Sequence, residues 1–164
     1  GLTLGAYVAE RENEEPSSVA GKRAHDEFNG SWYAKYTMGS VSFGYSEAHY
    51  DSGISAASVT AATTAKTVGT SAGHFDNTQM SIAFNVNDNL SISYTDSEDT
   101  YDAQSNVAGG TEVADVTQET EAIQAAYSMG GMTIKAFQME SSNPGWDSDA
   151  TKNTFSEISI GLSF

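Results

Sequence analysis

The chain has 164 residues, enough for one domain, and carries a net charge of -15 with only seven Lys and Arg. Such a balance repels phosphate and excludes nucleic acid as a partner, while the absence of Cys excludes a disulfide framework, a thiolate metal site and a Cys nucleophile. No run approaches the roughly 20 apolar residues of a spanning helix, and 15 Gly against two Pro, with much Ser and Thr, favour strands and turns over helices.

Leu2, Leu4, Ala6 and Val8 make the first set of apolar residues at period two, with Thr3, Gly5 and Tyr7 opposite. Such alternation is the mark of a strand with one apolar and one polar face. The chain begins inside this run, with neither Met nor a charged-then-apolar leader. It is therefore read as a fragment lacking its N-terminal part or, at best, a mature chain. Arg11 to Gly30, charged and holding Pro16, reads as a long polar loop. Trp32, Ala34, Tyr36 and Met38 form the second set, Gly39-Ser40 is a two-residue turn, and Val41, Phe43 and Tyr45 form the third. Asp51 to about Gly73 is rich in Ala, Ser, Thr and Gly and reads as a second loop. The fourth set is Met80, Ile82, Phe84 and Val86; Asn87-Asp88-Asn89 turns the chain; Leu90, Ile92 and Tyr94 are the fifth.

A third loop, Asp96 to about Glu121, holds eight acidic residues and no basic one. Ile123, Ala125, Tyr127 and Met129 follow, then the turn Gly130-Gly131, then Met132, Ile134 and Ala136 with Thr133, Lys135 and Phe137 opposite. Phe137 and Met139 fall on the polar side, so this strand is less clean at its far end. Ser141 to Asn153, with Pro144-Gly145-Trp146, is the last loop. The closing strand carries Ile158, Ile160, Leu162 and Phe164 against Glu157, Ser159, Gly161 and Ser163, and alternates to the final residue.

Eight strands thus alternate between long polar loops and turns of two or three residues. All the short turns fall on one side, together with both chain ends. Parallel crossovers need a dozen or more residues, usually helical, and none is evident. The fold class is all-β, an antiparallel up-and-down meander forming one domain over residues 1–164. Residues opposite the apolar sets are small: Ser42, Gly44, Ser46, Ser81, Ala83, Ser91, Ser93, Ser128, Ser159, Gly161 and Ser163. They do not fill the interior of a closed eight-stranded barrel, which is just wide enough for side chains to pack. Buried hydroxyls without partners cost about 1–3 kcal/mol each. A wet lumen removes both difficulties and calls for a wider transmembrane barrel, of which eight strands are about half. Tyr36, Tyr45, Phe84, Tyr94, Tyr127 and Phe164 lie near strand ends on the apolar face, as interfacial girdles do.

The segment Tyr127-Ser128-Met129-Gly130-Gly131-Met132-Thr133-Ile134 echoes Tyr36 to Phe43, a shared hairpin device. This segment, the order of short turns and long loops, and the ending Glu157-Ile158-Ser159-Ile160-Gly161-Leu162-Ser163-Phe164 resemble the C-terminal half of a Gram-negative general porin of the alpha-proteobacterial, Rhodobacter-like type. The resemblance implies a homotrimeric, 16-stranded passive channel in the cell outer membrane, among lipid and lipopolysaccharide, for ions and small hydrophilic solutes. It also implies a constricting loop in the half not present here, and recognition of Phe164 by the assembly machinery. A complete eight-stranded outer-membrane barrel with a structural or adhesin role, and a soluble lipocalin-like barrel with an apolar ligand, are the alternatives.

On this reading Lys35, Lys135, Glu157, Tyr33, Ser42, Ser93 and Ser159 line the pore, and Ile82, Ile92, Ile134, Ile160, Leu162 and Phe164 meet lipid. Fixed charges in a wet pore set which ions pass. Lys35 and Lys135 each stand four residues from a short turn, so the two are expected at similar depth. His25, His49 and His74 have no metal spacing and read as solvated loop residues. No Ser has a nucleophile-elbow context, so neither catalysis nor a bound cofactor is expected. Asp96 to Asp102 and Asp147-Ser148-Asp149 offer oxygen ligands without the pattern of a calcium loop; weak Ca or Mg bridging to lipopolysaccharide is the most they suggest.

Overall fold

The computed structural model describes residues 1–12, 23–24, 26–51, 54–55, 73–102 and 114–163. Eight long strands form one sheet: β1 (Leu2–Arg11), β3 (Glu27–Met38), β4 (Val41–Asp51), β6 (His74–Asn85), β7 (Leu90–Asp102), β8 (Val116–Met129), β9 (Met132–Ser142) and β10 (Asn153–Leu162). Between them, β2 (Arg23–Ala24) and β5 (Ile54–Ser55) pair as a separate two-stranded ribbon. Each long strand is antiparallel to its neighbour in sequence, so the order is that of the chain. The sheet is not closed: β1 and β10 are its two edges.

The short turns fall where the sequence puts them. Gly39 and Gly130 have φ of 60° and 59°, and each is the first of two turn residues, as in the hairpin turn that demands Gly there. A Cβ on the next glycine, Gly131, would stand 2.3 Å from the Ser163 carbonyl oxygen. Its smallness lets the end of the chain lie against the turn, where the Ser163 N–H donates to the Gly131 carbonyl at 2.7 Å. The Gly1 amino group likewise donates to the Thr37 carbonyl beside the first turn. Both termini of the described chain therefore sit on the short-turn side. The closing strand is shorter than expected: β10 ends at Leu162, and Phe164 lies outside the described residues.

At the opposite end the strands run further than their alternation suggests. Asp96–Asp102 belongs to β7 and Val116–Glu121 to β8, although both read as loop. Apart from the buried pair Tyr101↔Val116 they are polar on both faces, which erases the period, and the pairing from Asp96↔Glu121 to Tyr101↔Val116 supplies the order instead.

Register rows climb steadily across the sheet. Met38↔Val41, beside the first turn, continues through Phe84 and Ile92 to Ala125. The last pair of the third hairpin, Met129↔Met132, lies four residues beyond Ala125 on β8. Four strand steps thus bring a stagger of four residues, one per strand.

Burial is sparse. Among the described residues only Gly73, Tyr101, Val116 and Ser141 are buried. Ile158 is 75% exposed, Ile160 64% and Leu4 67%.

Candidate functional site

Directly opposed residues of an antiparallel sheet share a face, so the register sorts every side chain. One face carries Thr3, Tyr33, Lys35, Ser42, Ser81, Ser93, Gln124, Lys135, Glu157 and Ser159, and all seven residues expected to line a pore fall on it. Lys35 stands between Thr3 and Gly44, and Lys135 between Ala126 and Ser159. Tyr33 lies over Gly5, where a Cβ would come within 2.3 Å of its ring. Ser42 shares a 2.9 Å hydrogen bond with Thr37. The row of Lys35 passes through Gly44, Ser81, Thr95 and Ala122 to Met139, four residues from Lys135. The lysines therefore share a depth only as measured from their own turns, which the stagger offsets by the same four residues. Phe137, Met139 and Phe155 also lie on this face, with the Phe137 and Phe155 rings 6.1 Å apart.

The other face is layered. Nearest the short turns it is apolar: Val41, Phe43 and Tyr45 on β4, Phe84, Ile82 and Met80 on β6, Leu90, Ile92 and Tyr94 on β7, with Ile134, Ile160 and Leu162 further along. Six to eight residues from the turn the same face becomes acidic. Asp96↔Glu121↔Glu140 makes one row, and Glu98↔Glu119 the next. Aromatic side chains join the two layers. The Trp32 indole N–H donates to Glu47 at 2.9 Å and the Tyr45 hydroxyl to the other oxygen of that carboxylate at 2.5 Å; Tyr94 donates to Glu121 at 3.1 Å. Each ring has its body toward the apolar layer and its polar tip toward the acids. Like charges directly opposite one another are destabilising. Lys152, in the loop before β10, donates to Glu140 at 2.6 Å, and that bond holds its ammonium above the ordinary lysine range.

No protein-family model matches the chain, and neither a curated protein nor a solved structure does.

Two groupings escape a linear reading. The first joins His49, His74, Asp76 and Asp102 at the loop-side end of the acidic layer. His49 Nδ1 lies 2.6 Å from Asp76, His74 Nε2 lies 3.5 Å from Asp76 and 3.3 Å from Asp102, and the two imidazoles are 5.1 Å apart. Register alone brings them together, since His49 opposes Asp76 and Asp51 opposes His74. Among the described residues no group of three or more His, Asp or Glu side chains is arranged to hold a metal ion. His49 and His74 are paired on strands, not solvated in loops; His25 lies outside the described residues. The second grouping is on the polar face at the same end, where Trp146 packs edge-on against Phe75 at 5.0 Å and Phe75 lies 4.9 Å from Tyr101.

Asp96 to Asp102, read above as a source of loop ligands, alternates between faces as strand: Asp96, Glu98 and Asp102 on the acidic side, Asp99 on the other. Asp147 instead accepts the N–H of Asp149 at 3.0 Å, a local turn bond.

Proposed function

We propose that this chain forms about half the wall of a 16-stranded porin barrel, a water-filled outer-membrane channel through which ions and small hydrophilic solutes diffuse. The observation that carries the proposal is the layering of one face: an exposed apolar band, aromatic rings with their polar tips turned outward from it, and a belt of carboxylates beyond. A lipid bilayer has this order of environments, and aromatic girdles mark its interface with water. The same face argues against the lipocalin-like reading. A dry interior would have to take in Glu47, Asp96, Glu98, Glu119, Glu121 and Glu140, of which Glu140 alone is described in an ion pair, and charges without a counter-ion do not survive there.

Geometry supports a barrel. With all short turns on one rim, a stagger of one residue per strand tilts the strands by about 35°, from rises of about 3.3 Å along and 4.8 Å between strands. Membrane barrels tilt by about 35–45°. Six to eight residues at that slope give an apolar band of about 16–22 Å, somewhat shorter than the usual band of about 25 Å. Two open edges and a face of small polar residues favour more strands than eight. Sixteen at this tilt give a backbone radius of about 15 Å, room for water. In this reading the polar face lines the lumen, the acidic belt stands outside at the loop end, and the assembly is a trimer in the outer membrane.

Reconstitution of the full-length protein in planar bilayers tests the proposal. Stepwise ohmic conductance is expected. Protein that inserts as strand, with a heat-modifiable gel band, yet passes no current would refute the channel.

A further inference from the structure

The connection from β9 to β10 is described throughout, and it does not project away from the sheet. Asn143 turns the chain out of β9 at φ 47° and donates its side-chain N–H to the Thr117 carbonyl at 2.8 Å. Gly145, at φ 72°, donates its N–H to the Gln118 side chain at 2.7 Å. Trp146, at φ 54°, donates its indole N–H to the Asp99 carbonyl at 2.9 Å and sets its ring against Phe75. The segment therefore crosses the polar face from β9 over β8 and β7 and reaches a side chain of β6. Tyr101 and Val116 lie beneath it as directly opposed residues and are among the few that are buried. A positive φ is costly for a non-glycine residue and persists only where the surroundings fix it. Asn143 and Trp146 both hold one, and the hydrogen bonds and aromatic seat supply the fixing contacts.

We infer that this loop is a fixed inward step that narrows the loop-side mouth of the channel, with Trp146 as its anchor and the acids around it favouring cations. The inference rests on the channel reading. A chain packed on a sheet adds a layer about 10 Å deep, and crossing three strands makes it about 14 Å wide. Against a backbone radius of about 15 Å that is a sizeable part of the opening. The layer brings Asp147 and Asp149 to the mouth, with Asp99 at its base, where one carboxylate oxygen is buried without a hydrogen-bond partner. Lys152, the cation within the same loop, is turned to Glu140 on the other face. Trp146 is a positioning residue here, and the acids are what a solute meets.

The test uses the full-length protein and three variants. Trp146→Ala releases the anchor, Trp146→Phe keeps a ring in the seat, and Asp147→Asn with Asp149→Asn removes charge without touching the aromatic packing. In planar bilayers Trp146→Ala should raise single-channel conductance by about 1.3-fold or more, as expected from the size of the layer, and should admit larger sugars in liposome swelling. Trp146→Phe should stay near the parent. The double Asn variant should lose cation preference at low salt and keep its conductance at high salt. Unchanged conductance and sugar cut-off in Trp146→Ala, or unchanged ion preference in the double Asn variant, would overturn the inference. A separate readout distinguishes this failure from failure of the channel reading. In a full-length background in which Trp32 and every Trp outside these 164 residues are replaced by Phe, Trp146 is the sole Trp, and its fluorescence should resist acrylamide. A quenched, water-exposed Trp146 defeats the inward step whether or not the protein conducts; a protected Trp146 in a protein that passes no current defeats the channel alone.

Discussion

Ile92 and Ser93 are neighbours in sequence on opposite faces, and an arginine at each separates the two sides of the wall. Ile92 sits midway along the apolar stripe Leu90, Ile92, Tyr94 of β7, 43% exposed, with Phe84 and Ala125 opposite. Ser93 has Ala83 and Gln124 opposite. Arginine at a bilayer midplane costs about 2–4 kcal/mol in a strand barrel. Half the apolar band is only about 8–11 Å, so a long side chain that bends toward the nearer interface keeps the cost near the lower figure. Ile92→Arg is therefore expected to destabilise by about 2 kcal/mol, a factor of roughly 30 in the folding equilibrium. Ser93→Arg faces water and should stay within about 0.5 kcal/mol, like other exposed substitutions. Reversible guanidinium unfolding of the full-length protein in liposomes, followed by Trp emission, measures both. If Ser93→Arg proves the more destabilising, the faces are inverted and a soluble barrel with an apolar interior becomes the better account.

Two further outcomes follow from the same geometry. Lys35→Glu with Lys135→Glu should shift the reversal potential toward cations at low salt and fade at high salt, because the Debye length is about 8 Å at physiological ionic strength; no shift at low salt would make both lysines bystanders. In intact cells a membrane-impermeant thiol reagent should label Ser148→Cys, on the loop side, and should reach Ser40→Cys, in a short turn, only after the outer membrane is opened; the reverse pattern would invert the topology.

Alternation was legible wherever the two faces meet different surroundings. Ile92 stands between Ser91 and Ser93 and Ile160 between Ser159 and Gly161, and the register puts both on one face with Ile82 and Ile134. It failed where nearly every residue of both faces is polar, as in Asp96–Asp102, because a single buried aromatic, Tyr101, makes no apolar rhythm. The pairing of His49 with Asp76 and His74 was hidden for another reason. Twenty-seven positions separate His49 from Asp76, and only the β4–β6 register closes that gap. Trp146 gave a composition signal, a large aromatic in a Pro-Gly loop, but its seat is Phe75 on β6, itself packed on Tyr101 of β7.

The alternation of eight antiparallel strands has a consequence of parity. Because the count is even, β1 and β10 run in opposite directions. A ring that closes onto both edges and stays antiparallel at every seam must receive an even number of additional strands; an odd number forces one parallel seam, with slanted and slightly weaker bonds. Side-chain parity adds a second condition. A slip of one residue at either seam would turn the neighbouring strand inside out. Whatever pairs with β10 must therefore set its polar positions opposite Glu157, Ser159 and Gly161, and whatever pairs with β1 must do so opposite Thr3, Gly5 and Tyr7.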